Sequence, residues 1–299
     1  MAVELRSLDE QVMVITGASS GIGLCTALMA AEKGAKLVLV ARSEDVLQDL
    51  VSQIEAQGGE AIPVVADVSD RQQMENVARV AGSHFGRIDT WVNDAGTSIY
   101  GRLHQISEAD SRRLFDINFW GVVNGSLVAL PYLMRQGGAL INIGSEVSDA
   151  VVPLQGMYSA SKHAVKGFTD ALRVEAEEVD KAPVSITLIQ PTAVDTPFPH
   201  HAKNYMDKEP KLPSPMIDPE RVAEAILEAA TEGGRDVKVG TMARINTAAF
   251  ELTPGLADKF SAKQADRQQE DYPPLNPEGI LYQPSHTGRI YGESAHQHA

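Results

Sequence analysis

Between residues 12 and 240 the chain alternates short, nearly continuous apolar runs with longer amphipathic stretches, and this rhythm restricts the fold more than any single motif. The runs are VMVIT (12–16), KLVLVA (36–41), AIPVVA (61–66), TWVN (90–93), ALINIG (139–144), SITLIQ (185–190) and DVKVG (236–240). A strand that is apolar throughout, rather than at alternate positions, must be covered on both faces, and parallel sheets flanked by crossover helices meet that demand. Helical periodicity fills the gaps near 21–33, 44–57, 70–84, 107–134, 157–180 and 218–232, with Ser43, Asp70, Ser107 and Asp218 placed as N-caps. The pattern predicts an α/β fold: a doubly wound, seven-stranded parallel sheet, Rossmann-like, with helices on both faces.

Two stretches break the rhythm. Residues 195–217 carry Pro197, Pro199, Pro210, Pro213 and Pro215, which excludes a regular helix or central strand and predicts a long covering loop. Residues 252–299 carry Pro254, Pro273, Pro274, Pro277 and Pro284 with thin hydrophobicity. They read as an extended C-terminal tail rather than a second domain, leaving 1–251 as the folded domain. Too poor in apolar residues to fold alone, the tail must take its order from its own domain or from a partner subunit.

The charge balance narrows the function classes. With 26 Lys and Arg against 40 Asp and Glu the net charge is -14 and no basic patch stands out, which argues against nucleic acid and anionic lipid as partners. A single cysteine, Cys25, forms no intrachain disulfide, so a reducing cytoplasm is the expected compartment. The N-terminus lacks a charged-then-apolar leader pattern, and no window suggests the roughly 20 apolar residues of a membrane span. No metal is expected, because His200 and His201 have no Cys, Asp or Glu at ligand-like spacing.

Directly after the first strand comes Thr16-Gly17-Ala18-Ser19-Ser20-Gly21-Ile22-Gly23, opening an apolar helix. Glycines there permit a tight turn and close approach of a ligand, and a helix N-terminus presents free N–H groups to a pyrophosphate. The spacing G-x-x-x-G-x-G differs from the generic dinucleotide fingerprint, so the strand–loop–helix context carries the reading. The second strand ends Ala41-Arg42-Ser43, without an acid for ribose hydroxyls but with a cation for a 2′-phosphate, which points to NADP rather than NAD. Tyr158 and Lys162, four residues apart, share one helical face, and Ser145 lies 13 residues before Tyr158.

Together these motifs resemble the short-chain dehydrogenase/reductase family, in its shorter, non-extended type, over roughly residues 8–240. The resemblance implies that Gly17, Ser19, Ser20, Gly21, Ile22, Gly23 and Arg42 bind cofactor, and that Asp67-Val68 contacts adenine. Asn93-Asp94-Ala95-Gly96 is similar to the family's N-N-A-G, with Asp94 in place of the second Asn, and Asn93, Ala95 and Gly96 are expected at the cofactor. Pro191-Thr192-Ala193-Val194-Asp195-Thr196 resembles P-G-x-x-x-T, with Thr192 replacing Gly. The backbone of Val194 and the hydroxyl of Thr196 would then hold the carboxamide, with Pro191 also at the cofactor.

The implied catalytic set is Asn118, Ser145, Tyr158 and Lys162, with Tyr158 and Lys162 also contacting the cofactor. Reducing a carbonyl needs hydride on carbon and a proton on oxygen. By resemblance, Ser145 bonds the carbonyl, Tyr158 supplies or takes the proton, Lys162 lowers the phenol's pKa and holds the ribose, and Asn118 holds a relay water. The expected activity is hydride transfer between NADP(H) and an alcohol/ketone substrate. The alternative is a catalytically silent nucleotide-sensing or scaffold protein. Met157, Phe198 and Trp120 hint at an apolar substrate pocket, and Glu146 and Asp149 either steer a polar substrate or face water. Assembly as a homodimer or homotetramer is implied, with Val165, Phe168, Thr169 and Leu172 forming an apolar edge that faces either the sheet or a partner.

Overall fold

The structure is a computed structural model that describes residues 3–292. In chain order the elements are β1 (Val12–Thr16), α1 (Gly21–Glu32), β2 (Lys36–Ala41), α2 (Glu44–Ala56), β3 (Glu60–Val65), α3 (Arg71–Phe85), β4 (Thr90–Asn93), β5 (Ile99–Tyr100), α4 (Glu108–Phe115) and α5 (Gly121–Gln136). They continue with β6 (Gly138–Ile143), α6 (Gly156–Arg173), β7 (Val184–Pro191), α7 (Phe198–His201), β8 (Lys203–Asn204), α8 (Pro219–Glu232), β9 (Asp236–Val239), α9 (Thr241–Leu252) and α10 (Pro254–Ala262). Among the described residues the main sheet is seven-stranded, ordered β3-β2-β1-β4-β6-β7-β9, and each pairing is parallel.

The two-residue period of the strands divides the core between the faces. Along β1, Met13 and Ile15 join the cluster containing Leu24 of α1, Leu47 and Ile54 of α2, and Val222 and Ile226 of α8. Val14 points the other way, into the cluster with Met74 of α3, Leu114 of α4 and Leu133 of α5. Both faces are thus covered, the reason these strands read as continuous apolar runs. On α6, Val165, Thr169 and Leu172 are buried within the chain's own core, so the apolar edge faces inward; Phe168 packs edge-on to Phe119.

Register places the ends of the strands together. Thr16 pairs with Val40 and with Asn93, Asn93 pairs with Asn142, and Pro191 pairs with Val239. The loops after these strands therefore leave from one edge. Strand order reverses between β1 and β4, so the loops that follow those two strands part and open a crevice at the switch point.

Local irregularities differ from the sequence expectation. The helix foreseen at 107–134 spans Glu108–Gln136 but contains a π-helical turn, Asp116–Trp120, that carries Asn118. Such widened turns concentrate at functional positions. The same 29-residue helix is, by length and composition, long and apolar enough to cross a membrane, which corrects the expectation that no stretch approaches a span; 61% of its most apolar window is buried inside the fold. In the proline-rich stretch α7 is a single turn, and β8 pairs in parallel with β5 as a small second sheet. Strands of two residues are too short to leave a period in the sequence.

Beyond α10 the tail makes a 3₁₀ turn at Asp266–Gln268 and then runs to residue 292 without regular structure. It packs on its own domain: Gln268 is buried, accepts from Gln155 Nε2 at 2.6 Å and donates to Pro153 O at 2.8 Å, and Leu281 is fully buried in the core. Residues 293–299 of the tail lie outside the described residues.

Beneath the crevice a buried polar chain ties β4, β6, α5 and α6. Trp91 Nε1 donates to Asn93 Oδ1 at 2.9 Å, Asn93 Nδ2 to Asn142 Oδ1 at 2.8 Å and Ser126 Oγ at 3.1 Å, and Asn142 Nδ2 to Thr169 Oγ1 at 2.9 Å. Removing one member orphans its neighbours in a low-dielectric interior. Asn93→Ala is expected to lower the unfolding free energy by about 1–3 kcal/mol for each polar group left unpaired. Urea denaturation measures this, and an unchanged midpoint would show the chain to be energetically idle.

Candidate active site

The loops after β1, β2, β3, β4, β6 and β7 enclose a cavity of about 220 Å³ whose wall runs from the glycine loop to Tyr158 and Lys162. Gly17 has φ +76°, and a Cβ there would lie 2.9 Å from the backbone of Ala95, so both conformation and space require glycine. Gly21 begins α1 at φ +55°, and the side chain of Ser20, its N-cap, makes no capping bond. The first amides of α1 are consequently available to other acceptors. Gly21 N donates to Arg289 O at 2.9 Å, and Gly23 N donates to the carboxylate of Asp94. Ser19, Ser20 and Ile22 line the cavity. Gly23 does not, and lies against Gly17 and Asp94.

Asp94 is the departure from the N-N-A-G pattern, and it places a charge inside the site. Burial pushes its carboxyl up, towards neutrality, while Lys162 and the Gly23 amide pull it down. Thr16 Oγ1 secures this turn by accepting from Asp94 N at 3.1 Å and Ala95 N at 3.2 Å. Ala95 and Gly96 line the cavity, whereas Asn93 is turned into the polar chain beneath the sheet. The structure thus separates Asn93 from the group with which it was expected.

At the end of β2, Arg42 Nη2 donates to Ile280 O at 2.5 Å and Gln283 O at 3.0 Å, and Ser43 Oγ donates to Ser285 O. Burial and the nearby Arg113 lower the Arg42 pKa and Asp67 opposes them. Asp67 itself accepts from Ser69 Oγ at 2.7 Å and pairs with Arg113 at 2.5 Å. Burial raises its pKa, but these partners outweigh burial and hold the carboxyl below its ordinary value. Val68 is buried beside it and lines the same wall.

Tyr158 and Lys162 face the opposite end. Lys162 Nζ donates to Ile143 O at 2.7 Å and lies 5.8 Å from the Tyr158 ring centroid, and the hydroxyls of Ser145 and Tyr158 are hydrogen-bonded. Ser145 Oγ also accepts from Val147 N at 3.3 Å, where the residue caps a 3₁₀ turn. Burial drives the Tyr158 phenol above its ordinary range, with Asp94 and Glu146 adding to the rise and Ser145 opposing it. Burial likewise lowers Lys162, to about 8, against the pull of Asp94. Asn118 is fully buried rather than open to the cavity. Its Oδ1 accepts from Thr97 N at 3.0 Å, and its Nδ2 donates to Thr97 O at 2.9 Å and Ser161 Oγ at 3.1 Å.

Pro191, Thr192, Val194 and Thr196 border the same space. Thr192, in place of the pattern's glycine, donates through Oγ1 to Glu146 Oε2 at 2.9 Å, and Asn246 Nδ2 donates to the same oxygen at 3.0 Å. Glu146 is thus buried and partnered rather than facing water, and burial raises its pKa against those two bonds. Asp149 accepts from Gln190 Nε2 at 2.7 Å and lies 3.5 Å from Lys166. Of the three apolar pocket residues foreseen, Phe198 lines the cavity, 5.3 Å from the Tyr158 ring, while Met157 packs against the core and Trp120 is exposed.

Sequence reasoning missed Thr97, Gln155, Gln268, Ile280, Pro284 and Ser285, which all belong to the cavity wall. No local spacing signals them, since the tail residues meet the loops only after folding. His201 was noticed but is more buried than a loop histidine suggests: it lines the cavity, and burial pushes its pKa down to about 4. His200 instead pairs with Glu209 at 2.9 Å, and among the described residues no group of three or more His, Cys, Asp or Glu is placed to hold a metal ion.

Comparison with known proteins gives the family and the fold. A family model described as short chain dehydrogenase matches residues 11–206. The chain is 44% identical over 285 residues to the uncharacterized oxidoreductase YxnA of Bacillus subtilis, covering 94% of this chain and 80% of that protein. Among solved structures it resembles a short chain dehydrogenase/reductase from Burkholderia phymatum in complex with NAD, with TM-score 0.74, 28% identity, and coverage of 83% of this chain and 96% of the other. It also resembles an alcohol dehydrogenase from Thermococcus sibiricus complexed with 5-hydroxy-NADP, with TM-score 0.67, 28% identity, and coverage of 77% and 94% respectively.

The enclosure of Tyr158 has a measurable consequence. A phenol whose pKa is raised keeps its proton to higher pH, so Tyr158 should remain protonated beyond the ordinary tyrosine value of about 10. An ultraviolet titration of the protein minus that of Tyr158→Phe isolates this group. Ionisation at or below the ordinary value would contradict the burial argument.

Proposed function

The chain belongs to the short-chain dehydrogenase/reductase family of oxidoreductases, and we propose that it transfers hydride between NADP(H) and an alcohol/ketone substrate. The observation that carries this reading is the convergence of the Ser145, Tyr158 and Lys162 side chains on the wall of the same cleft that the glycine loop lines. The residues fit a dinucleotide: the crowded backbone at Gly17 and the amide end of α1 form a cradle for pyrophosphate, with Asp67 and Val68 beside the adenine end. Bound there, the cofactor would supply or accept the hydride.

The remaining chemistry falls to side chains. Ser145 Oγ donates to the substrate oxygen and Tyr158 delivers or removes its proton, while charged Lys162 favours the phenolate. Asp94 keeps Lys162 protonated to higher pH than burial alone would allow. Asn118 acts by bracing Thr97 against Ser161 in α6, which holds the loop after β4 to the helix that carries Tyr158. Phe198, against the Tyr158 ring, and Val147, Val152 and Leu212 supply apolar walls to the cleft, which favours a substrate with an apolar body.

Two features support NADP over NAD: no acid stands at Ala41, and among the described residues the Arg42 hydrogen bonds go to carbonyl oxygens rather than to a carboxylate, so its charge is not cancelled by a direct pair. Residues 1–251 form the catalytic unit in this reading and 252–299 its tail. Exposed Trp120 and Leu127, on the Glu108–Gln136 helix, support a dimer or tetramer, and the lone buried Cys25 suits a cytoplasmic setting.

NADPH oxidation with a panel of ketones separates this reading from a silent nucleotide-binding protein, which would bind without turnover. Tyr158→Phe should lower kcat by about 100-fold or more, the scale of general acid catalysis, with cofactor affinity little changed. Near wild-type turnover would remove Tyr158 from the chemistry. Arg42→Asp should shift preference from NADP towards NAD by roughly 1.5–3 kcal/mol, the scale of a charged hydrogen bond. The ratio of kcat/KM for the two cofactors reads this, and an unchanged ratio would assign Arg42 no part in the choice.

A further inference from the structure

The stretch 276–292 lies along the cleft wall and uses the donors that the proposed cofactor needs. Gly21 has one N–H, at the amide end of α1 where a pyrophosphate is held, and it donates to Arg289 O at 2.9 Å. Arg42 and Ser43 donate to the carbonyl oxygens of Ile280, Gln283 and Ser285. Peptide carbonyls therefore stand at both the pyrophosphate end and the 2′-phosphate corner. The remaining cavity of about 220 Å³ falls below the roughly 300–1,000 Å³ of small-molecule sites, and Ile280, Pro284 and Ser285 are part of its wall.

The strap is fastened away from these donors. Leu281 is fully buried in the core cluster shared by α3, α4 and α5, and its carbonyl accepts from Arg113 Nε at 3.2 Å. Tyr282 Oη donates to Asp110 Oδ1 at 2.7 Å, and Ile280 N donates to His201 O at 2.9 Å. Apart from the Leu281 peg, the packing of Ile290 against the other core cluster and the Lys203–Glu278 ion pair, these fastenings are individual hydrogen bonds on a chain without regular structure, the kind of segment that opens locally.

We propose that residues 276–292 are an intramolecular competitor for the cofactor cleft, and that a phosphate-bearing dinucleotide binds by displacing them from Gly21, Arg42 and Ser43. The inference rests on the reading of the cleft as a dinucleotide site. A phosphate oxygen makes a stronger, charge-assisted bond to these donors than a peptide carbonyl does, so the exchange favours the cofactor once it is abundant. Until then the strap reduces apparent affinity by the fraction of molecules in which it is closed.

The test uses the full chain, NADP+ as probe, and two variants outside the proposed cofactor contacts, Leu281→Ala and Tyr282→Phe. Loosening the fastening should tighten NADP+ binding, by about 2- to 10-fold for Tyr282→Phe, the range expected for loss of one modest bond from the closed state, and by more for Leu281→Ala, which removes the buried peg. Amide hydrogen exchange of 276–292 in the wild type should quicken when NADP+ saturates. Weaker binding in the variants, or slower exchange on saturation, would make the strap a wall of the site and overturn the proposal. NADP+ binding with unchanged strap exchange would overturn it while leaving the cofactor reading intact. Failure of wild type and both variants to bind NADP+ or NAD+ would sink the cofactor reading and this inference together. Tyr282→Phe removes a single hydroxyl and keeps the test decisive if Leu281→Ala fails to fold.

Discussion

Strand β1 pairs in parallel with β2 on one side and β4 on the other, and the chain builds outward from it in opposite directions. Parallel pairing forces each return of the chain through a crossover, and crossovers on two sides of β1 lie on opposite faces of the sheet. The loops at the carboxyl ends of β1 and β4 are thereby parted, while the register holds their starting points, Thr16 and Asn93, side by side. Gly17 and Ala95 approach so closely that a Cβ at Gly17 would not fit. The crevice, the cradle and the convergence of the remaining loops all depend on this pairing.

Enclosure sets the electrostatics. In the cleft, burial is the largest influence on Asp94, Tyr158, Lys162 and Glu146, and in each case it disfavours the charged form. The opposing influences are specific: an amide at Gly23 for Asp94, two side-chain donors for Glu146, and Asp94 for Lys162. Replacing the second Asn of the family pattern by Asp94 is therefore not a silent change. Where ionised, Asp94 supports a charged lysine and at the same time resists a charged phenol.

The tail gives the site its asymmetry. Gln268 and Gln155 close the wall near Pro153, while Leu281 anchors the chain where it turns towards Arg42. A segment with few apolar residues acquires order here because its backbone carbonyls meet cationic or amide donors at the rim while Leu281 and Ile290 meet the core clusters. Its conformation belongs to the domain it covers, as expected for a sequence that cannot build a core of its own.

The amino-acid sequence by itself determined the seven strands, the helices between them, the glycine loop and the shared face of Tyr158 and Lys162. Each of these is written in residues that are neighbours along the chain, as an apolar run, a cap, a required left-handed glycine or an i,i+4 pair. It did not determine that Asn93 turns under the sheet, that a π-helical turn carries Asn118, or that two-residue strands join the loops at Ile99 and Lys203. Nor did it place Ile280 and Gln283 on Arg42 or Arg289 on Gly21. Those outcomes were decided by tertiary structure, because they join groups separated by tens to hundreds of residues, and a carbonyl oxygen, which every residue carries, leaves no mark in a sequence until folding brings a donor within reach of it.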